Sequence, residues 1–120
     1  MAAGDIFTDA DRRTIDAAIR EAEQRCRFEF SVYVGPAEGD SRAFATSLHN
    51  SLVAPSRSIM IMVDPAARVL EVVTGGFVRQ TLEDSEVERA VRDMEAAFAG
   101  EDYVGGLQRA ISVLAVDALD

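Results

Sequence analysis

Carboxylates are the plentiful reactive groups in this 120-residue chain, with 21 Asp and Glu against 12 Arg and no Lys. Oxygen donors of that kind suit hard cations such as Ca²⁺ or Mg²⁺. A metal held by carboxylates can activate water and neutralise charge on a phosphate. Other reactive types are scarce, since Cys26 is the only thiol and His49 the only imidazole. The Cys-x5-Arg spacing of cysteine phosphatases is absent because position 32 is Val. A Ser-His-Asp triad would have to use His49, and no nucleophile is identifiable beside it. Gly75-Gly76 lacks the surrounding pattern of a dinucleotide loop or a P-loop. It reads instead as a strand exit needing unusual backbone angles. Cys26 reads as a buried structural thiol, and His49 as a surface histidine beside the apolar stripe of the second helix.

Carboxylates act together only where the fold gathers them. Thr8 caps a first helix over Asp9 to about Arg25, with Asp11 as its capping-box partner and Phe7 at the staple position. Ile15, Ile19, Ala22 and Cys26 share one face of it. Phe28, Phe30, Val32 and Val34 alternate with polar neighbours as in a strand, which Gly35-Pro36 ends. Asp40 or Ser41 caps a second helix striped by Phe44, Leu48 and Leu52. Ile59 to Val63 is apolar without alternation, as a strand covered on both faces requires. Asp64-Pro65-Ala66-Ala67 is a turn and Arg68 to Thr74 the returning strand. A third helix enters near Asp84 or Ser85 and stops at Gly100. Asp102 caps the fourth. The order is α-β-α-β-β-α-α, an α/β chain folded as a three-layer αβα sandwich. Its small mixed sheet pairs strands one and two in parallel and strand three antiparallel to strand two, with helices on both faces.

That topology divides the acids between the two ends of the sheet. Glu38, Asp40 and Asp64 fall at one end, where the Gly100-Glu101-Asp102 loop returns beside Asp64. Glu83 and Asp84 fall at the other, near Thr74-Gly75-Gly76. The candidate metal ligands are therefore Glu83, Asp84, Asp64, Glu101 and Asp102, for Ca²⁺ or Mg²⁺. No EF-hand spacing accompanies them, and helix capping with solvated charge accounts for most of these acids.

Residues 1–120 have room for one domain with its own core. The net charge of −9 repels phosphate backbones, which argues against nucleic acid as a partner. A protein partner remains compatible with it. The longest apolar run, Ile59 to Val63, falls far short of a membrane span. The first residues carry neither the basic start nor the apolar stretch of a signal peptide, so a soluble cytoplasmic chain is the expectation.

The run from Ser58 onward resembles the TPM domain family, also called the thylakoid acid phosphatase and photosystem repair family. The resemblance rests on the apolar strand Ile59 to Val63, the turn Asp64 to Ala67, the strand Arg68 to Val73, Thr74-Gly75-Gly76 and Leu82-Glu83-Asp84. It closes on Gly100-Glu101-Asp102-Tyr103-Val104-Gly105-Gly106-Leu107. The likeness is greatest to actinobacterial members of unknown function. Thr74 replaces the first glycine of that family's Gly-x-Gly, Val78 and Arg79 stand where a Glu is frequent, and Glu83 replaces a Thr. The resemblance implies an αβα sandwich and either of two functions. One is a non-enzymatic protein-interaction module in envelope or protein-quality maintenance, which the altered glycine loop favours. The other is a metal-dependent acid phosphatase using Asp84 and its neighbours.

Overall fold

A computed structural model of the chain describes residues 7–119. Its elements are α1 (Asp9–Cys26), β1 (Glu29–Val34), α2 (Ser41–Asn50), β2 (Ser58–Asp64), β3 (Val69–Thr74), α3 (Asp84–Ala99) and α4 (Tyr103–Asp117). Short 3-10 turns precede β2 and follow β3, at Pro55–Arg57 and Val78–Gln80. The order and class are those expected.

The sheet runs β1-β2-β3 with β2 in the centre. β1 pairs parallel to β2 from Glu29↔Ser58 to Val34↔Val63. β3 pairs antiparallel to it from Ile59↔Thr74 to Asp64↔Val69. All seven residues of β2 are buried, so the absence of alternation in Ile59 to Val63 has its expected cause. Alternation nevertheless decides which layer each side chain enters. Ile59, Ile61 and Val63 join the core shared with α1, α3 and α4, including Ile15, Met94, Leu107, Ile111 and Leu114. Met60 and Met62 face the opposite way and meet Ala45, Phe44, Leu48 and Leu52 of α2 and its C-terminal turn. Three helices thus cover one face of the sheet and one helix covers the other. Each fully buried Ile, Leu or Met contributes about 1.5–3 kcal/mol relative to exposure, which makes β2 the element that ties the two layers together.

Local chemistry sets the helix ends. Thr8 Oγ1 accepts the Asp11 N–H at 3.1 Å, and Asp11 Oδ2 accepts the Thr8 N–H at 3.0 Å. Asp40, not Ser41, caps α2 by accepting the Ala43 N–H at 2.9 Å. Glu83 occupies the N-cap position of α3, one residue before the expected entry, and its N–H donates to Glu86 Oε1 at 2.9 Å.

Between α3 and α4 the chain turns in very little space. Gly100 ends α3 and Glu101 takes a left-handed conformation at φ 64°. Asp102 Oδ1 then accepts the Gly105 N–H at 3.0 Å. A side chain at Gly106 would press on Ala97 Cβ and Phe98 Cε1, both at 2.9 Å. Tyr103 meanwhile packs its ring on Phe98, with centroids 5.1 Å apart, and Leu107 is fully buried. Asp102, Tyr103, Gly106 and Leu107 of the Gly100 to Leu107 signature thus each have a capping or packing duty in the helix–helix joint.

Candidate functional site

β3 is an edge strand, and two cavities lie along its outer side. Gly75 N–H donates to Ser58 O across the ladder at 3.0 Å. Ladder bonds alternate along an antiparallel strand, so Val69, Glu71 and Val73 bond to β2. Leu70, Val72 and Thr74 turn their N–H and C=O groups outward. Two guanidinium groups take part of this edge. Arg42 Nη1 donates to Val72 O at 2.7 Å, and Arg79 Nη1 donates to Thr74 O. No described residue meets the outward N–H of Leu70, Val72 or Thr74.

α3 passes alongside this edge without closing on it. A cavity of about 400 Å³ lies between Val72 and Thr74 on one side and Asp84, Val87, Glu88 and Val91 on the other. A second, of about 430 Å³, continues past Leu70 to the ends of both elements, where Asp64, Arg68, Glu95, Phe98, Glu101 and Tyr103 line it. Leu70 is in the wall of both. The two form one trough with the β3 edge as floor and α3 as wall. The positions 84, 87, 88, 91, 95 and 98 on α3 form one helical stripe, alternately acidic and apolar. Opposite it, Ser41 Oγ donates to Glu71 Oε2 at 2.7 Å, and Arg42 lies 3.5 Å from Glu71 Oε1.

The trough is rich in negative charge. Asp64, Glu71, Asp84, Glu88, Glu95 and Glu101 line it, against Arg42 and Arg68. Arg68 and Glu101, at φ 57° and 64°, are two of the three non-glycine residues with positive φ among those described. Both lie at the same end, so the two tight turns that frame the trough hold their backbone in a sparsely populated region.

The structure places the expected metal ligands at the two ends of the sheet that topology assigns them. Asp64 and Glu101 line one cavity, and Asp84 lies across from Thr74 in the other. Two of them, Asp64 and Asp102, have oxygens already engaged in folding. Asp64 is 5% exposed, and its Oδ2 and Oδ1 accept the N–H groups of Ala37 and Ala67 at 3.0 and 3.2 Å. Asp102 caps α4 and its Oδ2 lies 3.4 Å from Arg109. Glu83 begins α3, Asp40 caps α2, and Glu38 is exposed in the loop before it. Among the described residues no three His, Cys, Asp or Glu side chains group so as to hold a metal ion. The donors as arranged do not form a shared cation cage.

Three other residues clarify local readings. His49 is not on the surface. It is 5% exposed, and its Nε2 lies 3.0 Å from Ser58 O, so the bond requires the tautomer with its proton on Nε2. Helical spacing placed it beside the apolar stripe, and the start of β2 meets it through Ser58. Cys26 is a buried free thiol, and burial pushes its pKa up. Gly75 does not have positive φ. A Cβ there would run into the backbone oxygens of Pro55 and Ser56, so close backbone approach is what demands glycine.

Arg42, Glu71, Glu88 and Glu95 are trough residues that the sequence did not single out. A signal existed for some of them: Glu71 interrupts an apolar strand, and Glu88 and Glu95 lie seven apart on one face of α3.

A three-stranded mixed sheet between one helix and three, with an open edge beside an acidic helix, defines the class as an α/β sandwich. The chain belongs to the family described as Domain of unknown function (DUF5130), whose profile matches residues 2–115. This corrects the TPM assignment drawn from the Gly100 to Leu107 signature. The joint between α3 and α4 explains that likeness, because its residue types answer to a tight helix–helix turn and do not by themselves mark a family. The uncharacterized proteins MT2543 and Rv2468c, from two strains of Mycobacterium tuberculosis, are 30% identical over 108 residues, covering 90% of this chain. The chain spans 65% of the length of these curated relatives. In fold it is similar to the BA42 protein of the psychrophilic bacterium Bizionia argentinensis, at a TM-score of 0.84 and 17% identity over 93% of this chain and 81% of that one. The N-terminal domain of a protein from P. gingivalis gives 0.77 at 18% identity, covering 93% and 76%. The N-terminal domain of the cg2496 protein of Corynebacterium glutamicum gives 0.76 at 16%, covering 93% and 74%. No helix among the described residues is long and apolar enough to cross a membrane.

Proposed function

We propose that this domain is a protein-interaction module, which takes an extended polypeptide segment into the trough between β3 and α3. The observation that carries the reading is the outer side of β3, where three N–H groups face a trough instead of a neighbouring strand. Extended peptides add to such edges through main-chain hydrogen bonds, and pockets for alternate side chains supply selectivity. The lengthwise course of the trough past Leu70 suits a chain running along the strand.

The test is selection of peptides from a random library on the pure domain, followed by amide NMR of the complex. The Leu70, Val72 and Thr74 amides are expected to shift together. Glu88→Trp, on the exposed wall of α3, should block binding and leave the remaining spectrum in place. Failure to select any peptide, or shifts confined to another face, overturns the reading. So does turnover of a phosphate ester by the pure protein that is lost in Asp84→Ala.

A further inference from the structure

We infer that the occupant of the trough is a segment from a different protein whose basic side chains alternate with apolar ones. This rests on the docking reading above and adds the chemistry of the partner. Six carboxylates and two guanidinium groups line the trough, a third guanidinium, that of Arg79, is tied to Thr74 O at its edge, and Arg42 is already beside Glu71. Asp84, Glu88, Glu95 and Glu101 are all exposed, so a peptide lying in the trough meets their field along its whole length. An acidic or uncharged segment gains nothing from that field, and a basic one gains at every second residue.

The period follows from the strand. A segment added to β3 continues the sheet, so its side chains point alternately to the two layers. One set turns toward α3, where Val87 and Val91 provide apolar surface between Asp84, Glu88 and Glu95. The other set turns toward the Arg42–Glu71 side. A single side chain with an aliphatic stem and a cationic head can satisfy the α3 wall, its stem on the valines and its head at the carboxylates. The same charge argues against a second copy of this chain as the occupant. Pairing β3 with β3 would bring two acidic troughs together in a protein whose net charge is −9, and like charges across an interface are unfavourable.

Three N-acetylated peptides of about eight residues, within the usual strand range, test the inference. One alternates Val with Lys, one Val with Ser, and one has the Val-Lys composition in two blocks. Amide NMR titrations at low salt should show the alternating Val-Lys peptide moving Leu70, Val72 and Thr74. Its affinity should fall steeply with added salt, because screening shortens the reach of exposed charges. The conservative triple change Asp84→Asn, Glu88→Gln, Glu95→Gln should weaken it by about tenfold or more, as loss of complementary charge across an interface does. Equal binding by the Val-Ser peptide at the same amides overturns the charge inference and leaves the docking reading standing. Equal binding by the block peptide overturns the alternation. If no peptide moves these amides, both readings fail.

Discussion

Arg42 and Val72 are thirty positions apart, yet the Arg42 guanidinium donates to the Val72 carbonyl at 2.7 Å. The bond fastens α2 to the outer side of β3 and covers one of the carbonyls an incoming strand would seek. Edge strands left bare invite pairing with other chains. Arg42→Ala should cost only about 0.5–1.5 kcal/mol of stability, since Arg42 is exposed and the carbonyl it leaves can be hydrated. Its larger effect should be on docking: with the Val72 carbonyl freed and one positive charge removed from the trough, the alternating Val-Lys peptide should bind the variant more tightly in amide NMR titrations.

Gly75 and Gly76 are neighbours with different duties. Gly75→Ala drives a methyl group into the Pro55–Ser56 backbone, and overpacking of that sort costs about 1–3 kcal/mol. At Gly76 the nearest atom to a new Cβ is the flexible end of Arg79, at 3.8 Å. Urea melts should therefore show a clear drop in midpoint for Gly75→Ala and almost none for Gly76→Ala.

Asp64 holds the loop after β1 and the turn after β2 through two backbone N–H groups. Asp64→Ala leaves both without their acceptor in a buried place, at about 1–3 kcal/mol each. Asp64→Asn keeps one acceptor oxygen and should lose roughly half as much. Equal midpoints for the two variants in chemical denaturation would refute this account of the residue.

Burial raises the Cys26 thiol pKa in the folded chain. Below the unfolded thiol value of about 8.5 both states keep the proton. Above it the unfolded chain ionises first, so this contribution to stability is intact at lower pH and is lost as pH climbs toward the raised native value. The alkaline fall in stability should be shallower in Cys26→Ala. The native thiol should also react with a disulfide reagent only slowly, and rapidly once denaturant is added.

Ser58 O is the acceptor that His49 Nε2 meets inside the fold. His49→Phe fills similar space and removes one of the two donors to that carbonyl, the Gly75 N–H remaining, so it should cost about 0.5–1.5 kcal/mol. His49→Gln, which restores a donor, should recover part of the loss in thermal melts.

Much of the architecture was legible because period and punctuation agree along the chain. The capping box at Thr8 and Asp11, the unbroken Ile59 to Val63 run and the Asp64-Pro65 turn each correspond to an element that formed. What stayed hidden depends on contacts distant in sequence. His49 looks exposed until the start of β2 meets it at Ser58, and the demand for glycine at position 75 comes from a loop twenty residues earlier. The acids were visible as residues, but not their occupation as backbone acceptors, which takes Asp64 and Asp102 out of the free donor set. The trough was illegible for the same reason. Its floor and wall come from β3 and α3, and neither element reveals alone that a gap separates them.

The unequal cover of the sheet sets an order of opening. On one side β2 is locked under α1, α3 and α4; on the other, Met60 and Met62 are sheltered by α2 alone. Sub-global fluctuations should then begin with release of the ten-residue α2, which carries Arg42 away from β3 as it goes. Amide protons of α2 should exchange with solvent well before those of β2, in keeping with the least-packed unit opening first. Each such excursion would bare the methionine face and uncover the Val72 carbonyl together, so the lifetime of α2 on the sheet governs how often the edge of β3 is fully available.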